Sequence, residues 1–542
     1  MLGRDMGWKG LTKDLTIERC LNILIASLAI LIALAPSAQL VYALRHVGMQ
    51  EDAMIGLRHL RNMLEGHGLV YNVGYSALGV TDPLFWLASS VIVKPLMVLT
   101  GSRDVLALHY LACVIFNVAA MVILVYRAPR GTRTLTAVVL AVCSVFFFWP
   151  LRFLYLGLEG SFLLLSVAVL AWMAGTLGQA RSYLMAGIAA VLAWNRPEIA
   201  IVAFLSVVPY LLLQRGRRQV LRDTSAYAVG VVTVPIVFWM ISGRWVPGTV
   251  AAKAYFGAPS NPLTFDAILN RFDYLDAFIG MGAGVSLALL SLVGIIALAD
   301  AFIFFKQGRN SVPWRKGVYS LFVAGYSCFI LLIPSLWEWY VSFWLAFVLV
   351  LLSRLVVTAI LWMRAEDVGA ARRTTVFGFC VLALCWLAVP RTEAKRVEII
   401  SWIQQDAGFR GRLSHELNDR WHAKSVWMEA AGWQGYFNDA HVFDEVGLVD
   451  ESALARARDY GCRYFVRSLQ DLKPQFVIKR RFEVERNTMV TPPKSCLGAP
   501  LFSTQEDRAW FFDNYDRVET YETPSPGYFG EYSVLDLYRL KR

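Results

Sequence analysis

Apolar stretches, many of 18 residues or more, recur from Leu21 to Pro390, with short polar segments between them. Runs of that length cross a hydrocarbon core as helices. The pattern predicts eleven spanning helices: Leu21–Leu44, Val105–Tyr126, Thr134–Pro150, Ser161–Leu177, Tyr183–Trp194, Ile199–Leu213, Ala226–Ile241, Met281–Phe305, Val318–Ile333, Tyr340–Trp362 and Thr374–Pro390. Beyond Arg391 the apolar runs stop, and a polar region of ordinary domain size follows. In it, Arg463-Tyr464-Phe465-Val466 and Ser533–Tyr538 read as strands and Asp450–Tyr460 as a helix, which predicts a mixed α/β arrangement. The expected fold class is an α-helical polytopic membrane protein with a C-terminal mixed α/β domain. Residues 1–390 form the membrane domain, with a first outer loop at 45–104, and residues 391–542 form the C-terminal domain.

Charge sets the expected orientation. Lys and Arg gather in short loops between apolar runs, as the positive-inside rule requires. The segment Pro83–Thr100 is apolar but interrupted by Lys94-Pro95. If it crossed, the basic loop Arg127–Arg133 would lie outside. If it lies along the outer interface, that loop falls inside, as do Gln214–Arg222, Lys306–Lys316 and Arg364–Arg373. The second arrangement satisfies every loop. It turns 45–104, Leu151–Gly160, Asn195–Glu198, Ser242–Gly280, Ser335–Trp339 and the C-terminal domain outward. Met1–Arg19 is polar and basic, lacks a small-x-small cleavage site, and reads as an inner tail before a retained first helix.

Composition agrees. The chain is 57% hydrophobic and 17% charged, whereas soluble domains run near a quarter charged. The net charge of +11 belongs to the loops, so it indicates a bilayer and no nucleic acid. The eight Cys show no CxxC or Cys/His metal spacing. Cys462 and Cys496 are either a disulfide, if their domain is extracytoplasmic, or two free thiols.

The first outer loop holds the densest polar chemistry. It opens on Glu51-Asp52, continues as a short amphipathic helix with Arg58 and Arg61, breaks at Gly66-His67-Gly68, and passes Asn72 to reach Thr81-Asp82-Pro83-Leu84. A carboxylate at a membrane boundary is costly to keep there. Glycosyl transfer from a phosphate-linked sugar needs a carboxylate to take a hydroxyl proton and cations to stabilise the departing phosphate. Each residue also has a plain structural role open to it. Glu51 and Asp52 suit a first helical turn, Arg58 a snorkelling face, and His67 a turn. Glu159 suits a buried ion pair, Arg196-Pro197-Glu198 a helix break with a local salt bridge, and Lys253 a snorkelling position. The segment Trp337–Tyr340 suits an interfacial aromatic belt. Asp444 and Asp450 suit turns.

The pattern D-D-A-x-I-x-x-R-x-x-x-N followed by T-x-P-L resembles the AftB-type arabinofuranosyltransferases, membrane glycosyltransferases of the GT-C class that use polyprenyl-phosphate sugars. Gly157-Leu158-Glu159, Asn195-Arg196-Pro197-Glu198, Val246–Lys253 and Phe443–Asp450 resemble further motifs of that family, in the same order. Two positions depart from it. Glu51 stands where the family has Asp, which moves the charge by about 1.5 Å, one C–C bond, and Gly248 stands where it has Asn. The resemblance implies a GT-C-like fold, Glu51 and Asp52 as catalytic carboxylates, and Arg58, His67, Asn72, Glu159, Arg196, Glu198, Thr249 and Lys253 as substrate-binding residues. It also implies D-arabinofuranose carried on polyprenyl phosphate and an acceptor that is a cell-envelope glycan or glycoprotein. The protein would sit in a bacterial inner membrane with its site facing the periplasm. Some GT-C relatives use a divalent ion; no ligand cluster beyond Glu51 and Asp52 supports one, so no metal ligand is assigned. The alternatives are a GT-C transferase for mannose, galactose or aminoarabinose, a lipid or sugar transporter, and a non-catalytic sugar-binding scaffold. No pair of broken helices with midplane charges favours transport.

Overall fold

The computed structural model describes residues 49, 51–75, 79–127, 157–174, 182–256, 283–306, 314–333, 404–522 and 534–541, with short gaps, and isolated positions between 133 and 140 and between 340 and 357. The expected spans Leu21–Leu44 and Thr374–Pro390 lie outside the described residues, and Thr134–Pro150 and Tyr340–Trp362 lie outside them save for isolated helical positions.

The helices of the first part are α1 (Glu51–Leu64), α2 (Pro83–Thr100), α3 (Val105–Arg127), α4 (Gly160–Ala174), α5 (Ser182–Asn195), α6 (Pro197–Gln214), α7 (Arg217–Ser242), α8 (Gly248–Phe256), α9 (Ala283–Lys306) and α10 (Trp314–Leu332). Three stretches are long and apolar enough to cross a membrane: Pro83–Thr100, Val105–Tyr126 and Arg218–Met240. They mark a membrane protein. Val91, Val98 and Leu99 on α2, Ile201 and Leu205 on α6, and Ile295 and Phe302 on α9 are exposed, an outward apolar surface suited to lipid chains. α3 packs on α4, α5 on α7, and α9 on α10.

Two elements differ from expectation. α7 begins at Arg217, ahead of Ala226, so part of the expected basic loop forms its first turns. α2 is a continuous helix despite Lys94-Pro95. Pro83 starts it where a missing N–H costs nothing, and Gly101 at φ 66 ends it. Lys94 Nζ donates to the Leu64 carbonyl at 2.8 Å, a favourable place for a cation at the C-terminus of α1. Gly56 faces Trp86, and a Cβ there would come within 1.8 Å of the indole. Those two contacts set α1 and α2 side by side, running in the same direction.

The C-terminal part opens with a helix over 407–419 (α11). β1 (Ser425–Met428), α12 (Trp433–Tyr436), β2 (His441–Asp444), α13 (Ser452–Tyr460), α14 (Tyr464–Leu472), β3 (Phe476–Arg480), α15 (Arg481–Glu485), α16 (Gln505–Asn514), β4 (Tyr515–Glu522) and β5 (Val534–Leu540) follow. The sheet order is β2-β1-β3-β5-β4, parallel from β2 to β3 and antiparallel from β3 to β4. Side chains alternate across it. Val426, Met428, Phe476 and Ile478 pack with Phe409, Leu413 and Leu417 of α11. Trp427 and Val477 pack with Tyr464, Phe465 and Leu469 on the other face. The expected strand at Arg463–Val466 is instead a helical turn and the start of α14. Phe465 and Leu469, four residues apart, share its buried face, which is the helical period.

Cys462 and Cys496 form a disulfide that ties the start of α14 to the loop after α15. The bond closes a loop of 34 residues in sequence. Replacing both cysteines with serine should cost about 3–4 kcal/mol by loss of that constraint on the unfolded chain. Thermal unfolding of the full-length protein, with and without reductant, measures it: reductant should lower the parent's midpoint and leave the double variant's unchanged.

Candidate functional site

α1 is amphipathic, with polar side chains among its fourteen residues, yet most of the fourteen are buried. Its polar side chains therefore need internal partners. Arg58 donates from Nε to Tyr71 O at 3.0 Å, from Nη1 to Gly435 O at 2.5 Å, and from Nη2 to Ala440 O at 2.8 Å. Its guanidinium also lies 4.4 Å from the Tyr71 ring centre. Burial holds the Arg58 pKa below its ordinary value. Asn62 donates to the carbonyls of Val70 and Tyr71. His59 Nε2 lies 3.1 Å from the Gly79 N–H, which has to be the donor, and Nδ1 lies 2.9 Å from Ile55 O. The ring is thus neutral with its proton on Nδ1, and burial pushes its pKa down to about 4.

The two acids that open α1 part company. Glu51 turns to the C-terminal domain, where its carboxylate accepts from the amides of Gly432 at 2.7 Å and Trp433 at 3.0 Å. Arg410 Nη1 lies 3.6 Å away. A Cβ on Gly432 would collide with the Glu51 backbone at 2.0 Å, so that position requires glycine. Asp52 instead lines a cavity of about 340 Å³.

That cavity gathers several of the sequence-derived candidates: Asp52 from α1, Glu159 from the turn before α4, Arg196 and Glu198 from the α5–α6 junction, and Thr249 from α8. Arg196 binds the Glu159 carboxylate through Nε and Nη2, and its Nη1 lies 3.6 Å from Glu198. The neighbouring carboxylates, Glu159 foremost, hold its pKa well above the ordinary value against the opposing effect of burial. Arg196 is the one cation among the described side chains of the lining. It also packs against the rings of Tyr340 and Phe343, at 5.6 and 5.3 Å. Lys253 falls on α8, but its side chain lies outside the described residues.

Arg58, His67 and Asn72 are brought elsewhere, to a polar groove of about 660 Å³ between the first loop and the C-terminal domain. Asn72 exchanges two hydrogen bonds with Val442, donating to its carbonyl at 2.9 Å and accepting from its amide at 3.0 Å. β2 is an edge strand, and this amide completes it as a neighbouring strand would. Asp444 accepts from the amides of Val446 and Val449 and shapes the turn that carries Leu448 to the cavity wall. Asp450 accepts from the Ser452 amide and pairs with Arg456.

Asp82 and Trp86, assigned no site role from the sequence, line the cavity, as does Tyr340 of the Trp337–Tyr340 segment, for which an aromatic belt and a donor-lining role were both open. Asp82 was visible as an acid at a helix start. There it resembles any N-cap, yet its side chain makes no cap hydrogen bond. Burial, reinforced by Glu159, pushes its pKa well above the ordinary carboxylate range. Among the described residues no group of three or more His, Cys, Asp or Glu is placed to hold a metal ion. The carboxyl ends of β1 and β3, where the strand order reverses, are the usual ligand crevice of such sheets. Here Lys479 fills the place, bonded to Glu445 and Glu483 at about 3.0 Å, beside a gap of about 10 Å³ that leaves no room for a nucleotide.

Glu51→Ala should strip the acceptor from two amides, at about 2 kcal/mol, and speed hydrogen exchange at Gly432 and Trp433 more than tenfold. Equal exchange in both proteins would show that Glu51 is no clamp. His59 gives a pH signature. Its pKa is about 4 when folded and near 6.5 when unfolded, so between those values the unfolded chain binds more protons. Stability is then full above about 6.5 and falls as pH drops toward 4. In His59→Gln the loss of stability between pH 7 and pH 5, read from denaturant midpoints, should shrink. Residues 398–535 match a family model described as "Domain of unknown function (DUF8728)". No curated protein matches the chain.

Proposed function

We propose that this chain is a membrane glycosyltransferase of the GT-C type, multi-pass in a bacterial inner membrane, with its site on the periplasmic side. It transfers a sugar, D-arabinofuranose by the resemblance above, from polyprenyl phosphate to a cell-envelope glycan or glycoprotein. The observation that carries this reading is the placement of Asp52. It faces a cavity walled on one side by apolar helices suited to a lipid and on the other by Leu448 of a polar domain. The Cys462–Cys496 disulfide supports an oxidising, extracytoplasmic place for that domain. The parallel course of α1 and α2 supports an interfacial position for both.

In this reading Asp52 is the general base. The acceptor hydroxyl attacks the anomeric carbon, its proton passes to the Asp52 carboxylate, and the bond from that carbon to the phosphate oxygen breaks. Polyprenyl phosphate leaves with the electron pair. Arg196 faces the leaving phosphate, and the resemblance assigns Lys253 to the same role. A lipid phosphate is already a good leaving group, which agrees with a chain that has no phosphate-cradling glycine loop.

Asp52→Asn should lower transfer by about 10²–10⁴-fold, the usual worth of a positioned base, and leave donor binding within a few-fold. The assay uses purified protein, polyprenyl-phosphate arabinofuranose and an arabinan oligosaccharide, with mannose and galactose donors run beside it. Full transfer by Asp52→Asn would falsify the assignment of the base. Transfer from only another donor would move the sugar, and vectorial movement of lipid in sealed vesicles without transfer would replace the enzyme by a transporter.

A further inference from the structure

Among the described residues, Asp82 and Thr249 line the cavity and each carries a buried polar atom without a hydrogen bond. Asp82 is 4% exposed, and its Oδ1 accepts from Trp86 Nε1 at 3.2 Å, while its Oδ2 is buried with no hydrogen bond. Thr249 is 6% exposed, and its hydroxyl is likewise buried and unbonded. An unmade hydrogen bond at a buried polar atom costs about 1–3 kcal/mol, so two on one cavity call for a ligand or water. As an N-cap, the Asp82 side chain serves no helix amide. It lies at the free position of the T-x-P-L motif, so the motif does not explain it.

The lining decides the chemistry of that ligand. Asp52, Asp82, Glu159 and Glu198 stand against Arg196, whose charge Glu159 already balances. Such a surface offers many hydrogen-bonding oxygens to hydroxyl groups. Trp86, Phe329 and Tyr340 add aromatic wall, and flat apolar rings suit the C–H face of a sugar.

We infer that Asp82 Oδ2 and Thr249 Oγ1 hold hydroxyl groups of the sugar ring, which places the ring of the donor between α2 and α8 with its phosphate elsewhere along the cavity. This rests on the glycosyltransferase reading for the sugar's being the donor's. The contact itself requires only a polyhydroxyl ligand.

The test titrates full-length protein in nanodiscs with three probes: polyprenyl-phosphate arabinofuranose, polyprenyl phosphate without sugar, and methyl arabinofuranoside. Asp82→Ala and Thr249→Val are compared with the parent. Each variant should weaken the two sugar-bearing probes about tenfold and leave polyprenyl phosphate unchanged. Thr249→Val is nearly isosteric and decides the matter alone if Asp82→Ala does not fold by size exclusion and thermal melting. Unchanged sugar affinity, or equal weakening of all three probes, overturns the proposal. If the parent binds methyl arabinofuranoside but neither lipid, the donor reading fails. The hydroxyl contact then stands or falls on whether the variants lose the glycoside. Binding of no probe by the parent overturns both.

Discussion

An amphipathic helix buried on nearly every side, charged residues included, is the constraint on which the described structure turns. α1 lies between α2 and the C-terminal domain, and its charged groups survive there only because backbone atoms of that domain meet them. Arg58 spends its donors on Tyr71, Gly435 and Ala440, so its charge is spread over carbonyl dipoles and the Tyr71 ring. Removing a partner from such a group is expensive, because the charge stays buried. The first loop and the C-terminal domain are therefore one folding unit at this seam, although 377 residues separate Arg58 from Gly435.

Helix geometry carries that constraint into the site. Successive residues on an α-helix point about 100° apart. Once Glu51 is fixed on the Gly432 and Trp433 amides, Asp52 has to leave the helix in a different direction, and there it meets the cavity. The adjacent acids are thus two functions of one turn: the first sets the helix's rotation and the second uses it. The longer side chain at position 51 fits this division, since it has to reach across the seam to two amides.

Much of this was legible in the sequence, and the rest failed for identifiable reasons. α3 to α6, α9 and α10 lie within a few residues of the apolar runs that announced them, because length and hydropathy define such helices. α1 and its break at Gly66 and Gly68, both at positive φ, followed from amphipathic spacing and turn residues. A buried ion pair was foreseen as one of two roles for Glu159, though not with Arg196 as its partner. β1, β2, β3 and β4 were not seen. β1 and β2 are four residues long, and all five residues of β3 are buried, which erases the alternation that marks a strand. The backbone partners of Arg58 and Asn72 were not legible, because a sequence shows a polar side chain but not the distant backbone that it binds.

The same accounting separates the polar residues that hold the fold from those left over for chemistry. Arg58, His59, Asn62, Asn72, Asp444 and Glu51 all find partners within the protein, and those bonds hold the seam together. Asp82 and Thr249 have buried atoms that the fold leaves unsatisfied, and both lie on the cavity that Asp52 lines. The C-terminal domain closes this cavity through Leu448, on a turn that Asp444 ties and Gly447 permits at φ 74. Because the domain is bound to α1 by Glu51 and Arg58, any shift of that roof carries Asp52 with it. Access to the cavity and the aim of the carboxylate are then a single mechanical variable.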